Sequence, residues 1–340
     1  GVYCVLRLVD ELNERGFNAS VEYCINQPNT FKTTTAPLQR QDTHQLRRIS
    51  NEARNQGGFI VATHWQTGGM MDSLKSRGHF VPLAFWQDRE DLFVDPDGSH
   101  PIRDSDTSHY IKIKNRIVNA KWVGDSAIED LGIDKYTHIP VGVDCNKFYP
   151  SNEFMEGKLS KCETIRIVSM YRPSTPRRGA KRLKAIYEHI KQKHGHKVSF
   201  ETFGEDCNWS DFHHGKVSQD DLARLIRGMD VLVEPSEFQG FGLPGLEAMA
   251  SGICLVSTDN RGIDEYGVHR KNCLIENEEE SLSDLIDELV LDPKLRIKLQ
   301  TRARRDALKL DWSAVADKWA KELKRVYLES GMQDFKFSFS

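Results

Sequence analysis

The residues best suited to chemistry lie between Val231 and Gly252, in the run Val-Leu-Val-Glu-Pro-Ser-Glu-Phe-Gln-Gly-Phe-Gly-Leu-Pro-Gly-Leu-Glu-Ala-Met-Ala-Ser-Gly. Val231 to Val233 is a short apolar run suited to a buried strand. Glu234 to Gly242 is rich in turn formers. From Leu243 the pattern turns helical: Leu243, Leu246 and Ala250 share a face, Pro244 fits the first turn, and Gly252 is placed to end the helix. Gly240 and Gly242 let the loop backbone approach a ligand. The N–H groups of Phe241, Gly242 and Leu243, at the positive end of the helix, favour an anion, most often phosphate. Glycines alone would make only the turn of an ordinary α/β unit. Glu247 adds a second chemistry, because a carboxylate one turn into the helix repels phosphate but accepts hydrogen bonds from a sugar diol. Phosphate on the helix end and ribose on Glu247 together point to a nucleotide.

A second cluster is Tyr171-Arg-Pro-Ser-Thr-Pro-Arg-Arg-Gly179. Arg172 follows an apolar run, and Arg178 precedes a helical pattern. Guanidinium groups bind phosphate bidentately, and two cations six residues apart across a loop can hold a diphosphate from both sides. The same arginines would also make a basic surface turn. His213 and His214 are adjacent, but no further ligand stands at a metal-binding spacing.

The stretch from Pro235 to Gly252 closely resembles, without a gap, the signature of retaining glycosyltransferases of family 4. The resemblance implies an α/β protein of the GT-B class, with two Rossmann-like domains whose parallel sheets face each other across a cleft. It implies that Glu247 binds the ribose of the donor, that Phe241, Gly242 and Leu243 bind its phosphate, and that Arg172 and Arg178 neutralise the leaving diphosphate. It places the nucleobase near Lys216 and Val217. One position departs: the first Glu of the family's acidic pair is Gln239 here, which keeps hydrogen-bonding ability and loses the charge. In the first half, the family's His after the strand Phe80–Trp86 is absent, so Gln87 or Asp88 takes its place near the sugar. His64 is a further candidate, although a lone His after a strand is commonly structural. The pattern Trp86-Gln-Asp-x-Glu-x-x-Phe93, with Ala62-Thr-x-Trp65, resembles a subset that includes rhamnosyltransferase-like members.

These residues need elements to carry them. The chain has 340 residues, 39% hydrophobic and 29% charged, a globular composition sufficient for two domains. Its net charge of -3 gives no global pull on nucleic acid. Seven scattered cysteines without a Cys-x-x-Cys indicate neither a zinc site nor a disulfide framework, as suits a reducing cytoplasm. No run approaches ~18 apolar residues. The expected order is a helix from Gly1 to Gly16, a strand in 18–24, a polar loop in 27–41, a basic-faced helix over 43–55 (Arg47, Arg48, Arg54), strands over 59–63 and 80–86 with a helix from Met70 between them, and a long polar segment over 94–108. A helix over 110–116, a strand over 117–123, a short helix over 126–131 and a strand from Thr137 follow. Residues 1–150 form an acceptor-binding domain and 151–163 a linker. Residues 164–311 form the donor-binding domain, a βαβα series, and 312–330 a helix returning toward the first domain. A Rossmann-like domain should open with a strand, so the start at Gly1 implies a chain that has lost its first strand and part of a glycine loop, with Gly1 as its remnant beside the donor.

The function implied is transfer of a sugar from a nucleoside diphosphate sugar to a hydroxyl of a saccharide or lipid-linked saccharide, with retention at the anomeric carbon. It needs no metal and no cofactor. It suits polysaccharide or glycoconjugate synthesis in the cytoplasm, and it allows peripheral membrane contact at the inner face. Two alternatives share the fold: a nucleotide-sugar-binding module without catalysis, motivated by Gln239, and a sugar-nucleotide epimerase.

Overall fold

The computed structural model describes residues 1–23, 38–40, 57–65, 67–68, 71, 74, 80–94, 98–99, 104–152 and 164–331. The chain divides into two compact units. Gly1–Phe93, His100–Gly142 and Trp312–Ser340 make the first, and Val94–Ser99 with Val143–Asp311 make the second. The expected helix over 43–55, most of the one from Met70 (Met71 and Leu74 are described, and helical) and nearly all of the stretch 151–163 lie outside the described residues.

The first unit opens with the helix Val2–Glu14 and holds a four-stranded parallel sheet in the order β3 (Phe59–Ala62), β4 (Val81–Trp86), β5 (Asn115–Val118), β6 (Thr137–His138). A separate pair joins β1 (Val21–Tyr23) to β2 (Leu38–Arg40), also in parallel. The helix Trp312–Glu329 covers part of the sheet: Trp319 packs edge-on against Phe85, and Val326 and Tyr327 close over Val81. Arg15 ties that helix to the first one through the Ser313 carbonyl at 2.7 Å and Asp317 at 2.8 Å.

The second unit is a six-stranded parallel sheet in the order β12 (Leu274–Ile275), β11 (Cys254–Ser257), β10 (Val231–Glu234), β7 (Ile165–Tyr171), β8 (Val198–Gly204), β9 (Phe212–His213). The chain therefore enters in the middle at β7, runs outward to β9, and returns to the other side of β7 as β10. The order reverses between β7 and β10, and in such sheets ligands bind outside the carboxyl ends at that point. Alternation with period two puts Ile165, Ile167, Val231, Val233, Cys254 and Val256 on one face. There they meet Leu183, Ile186 and Ile190 of the helix Ala180–His194, and Leu282, Ile286 and Leu289 of the helix Glu279–Leu291. No described helix is long and apolar enough to cross a membrane.

Several expectations need correction. The helix over 110–116 lies earlier, at Asp104–Ile111, beginning inside the polar segment 94–108, and Arg116 stands in β5. Tyr110 anchors this helix, stacked on Trp86 at 5.0 Å with its hydroxyl donating to the Phe85 carbonyl, and the helix sequence carries no apolar periodicity to announce it. The strand over 117–123 stops at Val118, because Trp122 and Val123 belong to the helix Lys121–Leu131. Leu38–Arg40, read as loop, is the strand β2. The two-residue strands β9 and β12 carry too few residues to show a period.

The helix Pro293–Ala307 is capped by Asp292, whose Oδ1 accepts the N–H groups of Lys294 at 2.9 Å and Leu295 at 3.0 Å. Asp292→Ala leaves both donors to water and is expected to lower unfolding free energy by about 1 kcal/mol. Urea denaturation followed by circular dichroism measures it; an unchanged midpoint would show that the cap carries no stability.

Candidate functional site

In the second unit, two loops flank the point where the strand order reverses: 172–179 after β7, and 235–242 after β10. They are stitched together by backbone. Gly179 takes φ +69, and a Cβ there would stand 2.1 Å from the Pro235 carbonyl oxygen, so only glycine allows the approach. The Glu237 N–H donates to the Arg177 carbonyl at 2.8 Å, the Arg177 guanidinium lies over the Phe238 ring at 5.1 Å, and Arg182 donates to the Pro235 carbonyl at 3.0 Å.

Arg178 sits within this seam. Its Nε and Nη1 are buried with no hydrogen-bond partner among the described residues. A guanidinium is fully charged at neutral pH, so buried donors of this kind call for an anion. Arg172 is different: it is half exposed, with Nε 3.7 Å from Glu205 Oε1. The Ser174 hydroxyl holds the Glu205 carboxyl below its ordinary range, and Arg172 and Lys216 add to that. Arg172 and Lys216 thus gather around one carboxylate, a partner that sequence reading did not identify. Val217 follows Lys216 in the loop that Gly215 anchors to the end of β8, by accepting the Gly204 N–H at 2.8 Å.

The β10 loop ends at Gly242, whose φ of +86 turns the chain into the helix Leu243–Ala250, with Pro244 in the first turn. Tyr266, 24 residues on, donates its hydroxyl to the Gly242 carbonyl at 2.6 Å. The same oxygen fills the space where a Cβ on Gly242 or Gly245 would stand, at 2.8 and 2.5 Å. The Phe241 ring packs 5.4 Å from the Tyr266 ring. Gln239 is buried, and its N–H donates to the Asn260 carbonyl at 3.0 Å. Gly262 lies so close beneath the loop that a Cβ would meet the Phe241 backbone at 2.7 Å.

Glu247 lies one turn into the helix and is 2% exposed. Burial pushes its carboxyl up to about 8; a hydrogen bond from Gln219 and the charge of Lys147 oppose the rise. Among the described residues its Oε1 has no hydrogen-bond partner, and neither has the buried Oε1 of Gln219. Lys147 is held by Asp220 at 2.8 Å. Gln219 and Lys147 come from distant parts of the sequence and carried no pattern that would have marked them.

The paired histidines serve the sheet. His214 Nε2 meets Glu201 Oε2 at 2.7 Å, and His213 Nδ1 meets Thr202 Oγ1 at 3.0 Å, which fixes β9 beside β8. A cluster with metal-ligand geometry does occur elsewhere, at His189, Asp284 and Asp287, between the two helices on the buried face; His194 and Lys193 already bond Asp287.

In the first unit, the candidates Gly1, His64, Gln87 and Asp88 gather at the carboxyl ends of β3 and β4. Gly1 caps the first helix, and a Cβ there would lie 3.5 Å from Gln87 Nε2. His64 Nε2 lies 3.6 Å from Glu90 Oε1, and the other Glu90 oxygen accepts the Trp65 N–H at 3.1 Å. Burial pushes Glu90 up to about 7 and lowers His64. Asp88 Oδ1 accepts the Arg89 N–H at 3.0 Å. Glu90 was visible as the acid of the Trp-Gln-Asp-x-Glu pattern, but its pairing with His64 was not.

The model of the glycosyl transferases group 1 family matches residues 208–306. Over 115 residues the chain is 32% identical to the N,N'-diacetylbacillosaminyl-diphospho-undecaprenol alpha-1,3-N-acetylgalactosaminyltransferase of Campylobacter jejuni, covering 33% of this chain and 31% of that protein. Over 194 residues it is 25% identical to the MMP alpha-(1->4)-mannosyltransferase of Mycolicibacterium hassiacum, covering 52% and 45%. The chain thus spans from about a third to about half the length of these curated relatives. Among solved structures it resembles the sucrose-phosphate synthase of Thermosynechococcus elongatus, with a TM-score of 0.77 over 96% of this chain and 93% of that one at 17% identity. It also resembles Anabaena Alr3699/HepE in complex with UDP and glucose, with a TM-score of 0.76 over 95% of each chain at 14% identity. The two Rossmann-like parallel-sheet units therefore form a GT-B-like fold, and residues 208–306 are related to the group 1 glycosyl transferases.

Proposed function

We propose that this protein transfers a sugar from a nucleoside diphosphate sugar to the hydroxyl of a saccharide or lipid-linked saccharide, with retention at the anomeric carbon, in cytoplasmic polysaccharide or glycoconjugate synthesis. The observation that carries the reading is the pairing of opposite needs at the reversal point of the second sheet. Buried donors on Arg178 and the N–H groups at Phe241–Leu243 call for an anion, while one turn away the open oxygen of Glu247 calls for a hydroxyl. A nucleotide carries both. The fold neighbour from Anabaena was solved with UDP and glucose, the kind of ligand pair the reading requires.

In the proposed reaction the bond between the anomeric carbon and the leaving phosphate oxygen breaks, and its electron pair goes to the diphosphate. Arg178, Arg172 and the helix end stabilise that growing charge, which is where preorganised donors act most strongly. The acceptor oxygen bonds the anomeric carbon on the same face, and its proton passes to the leaving phosphate oxygen. Gln239 fits this route, since an amide offers no covalent nucleophile. In the first unit His64, Gln87 and Asp88 contact the sugar or the acceptor. Gln239 also motivates the second reading, nucleotide-sugar binding without transfer. Incubation with donor and acceptor separates the two, and proton NMR of the product reads the anomeric configuration.

Arg178→Ala removes donors aimed at the leaving group and is expected to lower kcat at least about 100-fold, with a smaller change in KM. A steady-state assay with a turned-over donor checks it, and near wild-type kcat would sink the assignment.

A pH dependence follows from Glu247. Its carboxyl titrates near 8 in the free protein, and a diol donating to it favours the charged form. Binding then releases a proton below that value, so UDP affinity should rise between pH 7 and 8.5 and then level. Calorimetry across that range, with Glu247→Gln as reference, is the check; parallel profiles for the two proteins would refute the linkage.

A further inference from the structure

We propose that His189, Asp284 and Asp287 form a binding site for one divalent first-row transition ion, of the zinc type, which ties two helices of the second unit together and takes no part in sugar transfer. His189 stands in the helix Ala180–His194, and Asp284 and Asp287 stand in the helix Glu279–Leu291. The two aspartates are three residues apart and so share one helix face. Both helices give their apolar residues, Leu183 and Ile186 on one and Leu282 and Ile286 on the other, to a single core. Their polar residues meet as well: one ligand atom from each of His189, Asp284 and Asp287 lies within 4.8 Å of the other two.

Hydrogen bonding shows what the cluster lacks. His189 Nε2 is buried and 3.5 Å from Asp287 Oδ2, yet it has no hydrogen-bond partner among the described residues. The ring nitrogen faces the oxygen without the alignment to donate to it. Two ligand atoms held at about 2.1 Å by one tetrahedral ion stand about 3.4 Å apart, close to the separation found. An imidazole nitrogen with carboxylate oxygens is a donor set for a transition ion, whereas calcium and magnesium take oxygen ligands. Asp287 is held in place from its other side. His194 Nε2 meets its Oδ1 at 2.6 Å, an outer contact of the kind that aims a ligating carboxylate. The Lys193 ammonium bonds Asp287 Oδ2 and occupies the place of the ion, on a side chain that is half exposed and can swing to solvent. Asp284 adds a second carboxylate, so a divalent ion neutralises more charge there than one ammonium does. His189 stands roughly 14 Å along its helix from Ala180, the end nearest Arg178, so the ion braces helix packing and leaves the donor loops alone.

The test is titration calorimetry of the full chain, stripped with EDTA and dialysed, with zinc chloride, beside magnesium and calcium chloride. Zinc should bind with one equivalent that the other two ions do not displace, and it should raise the midpoint of thermal unfolding. His189→Ala should weaken that equivalent at least about tenfold and abolish the rise in midpoint. Lys193→Ala removes the competitor and should tighten zinc binding severalfold; in a plain salt-bridge network the same change would only loosen the helices. Circular dichroism of each variant checks that it folds. No uptake of zinc by the wild-type protein would overturn the proposal. So would uptake and midpoint that His189→Ala and Asp284→Asn leave unchanged, the result expected if zinc binds other histidines and cysteines of the chain. Unchanged zinc affinity in Lys193→Ala would overturn it too, and this comparison stands even where His189→Ala does not fold.

Discussion

The architecture of the candidate site depends on how closely two stretches of backbone approach at the centre of the second sheet. Gly179 rests against the Pro235 carbonyl at a distance no side chain permits, and it does so with a φ that other residues rarely adopt. That contact fixes the loop after β7 to the loop after β10. The cations on the first and the helix end on the second are thereby presented together, although about sixty residues separate them in sequence. Gly242, Gly245 and Gly262 extend the same logic. Each leaves room for a neighbour, Tyr266 for the first two and the Phe241 backbone for the third. The loop is defined by close packing of main chain as much as by side-chain hydrogen bonds.

What the sequence makes legible follows from the range of the forces involved. The strand, glycine turn and helix of 231–252 are local: period, proline and glycine specify them within a few residues, and they stand where expected. The parallel sheet of the second unit was legible for the same reason, as alternating strand and helix patterns of ordinary length. Legibility ends where an element is too short to repeat, as in β9 and β12, or where its anchor is an aromatic contact and not a period, as with Tyr110 on Trp86. It also ends at partners supplied by packing. Glu205 beside Arg172, Tyr266 beneath Gly242, Gln219 and Lys147 beside Glu247, and Glu90 beside His64 are brought in by the fold, and no spacing rule reaches them.

Charge is sorted within the second unit. Arg178 and the amino end of the helix Leu243–Ala250 offer donors, and one turn further on Glu247 presents a buried carboxyl oxygen without a partner among the described residues. His214 and Glu201, by contrast, pair with each other within the sheet, and His213 bonds Thr202 there through Nδ1.

The buried polar atoms of Arg178 and Glu247 that lack partners among the described residues also carry a thermodynamic consequence. Buried polar groups of this kind are locally frustrated, because they have left bulk water without gaining a protein partner in return. Apolar side chains of similar volume would relieve the conflict and make the unit sturdier, while leaving nothing for a polar ligand to grip. The unit therefore stands below the stability its core could support, and part of the deficit lies at atoms that a bound molecule can satisfy.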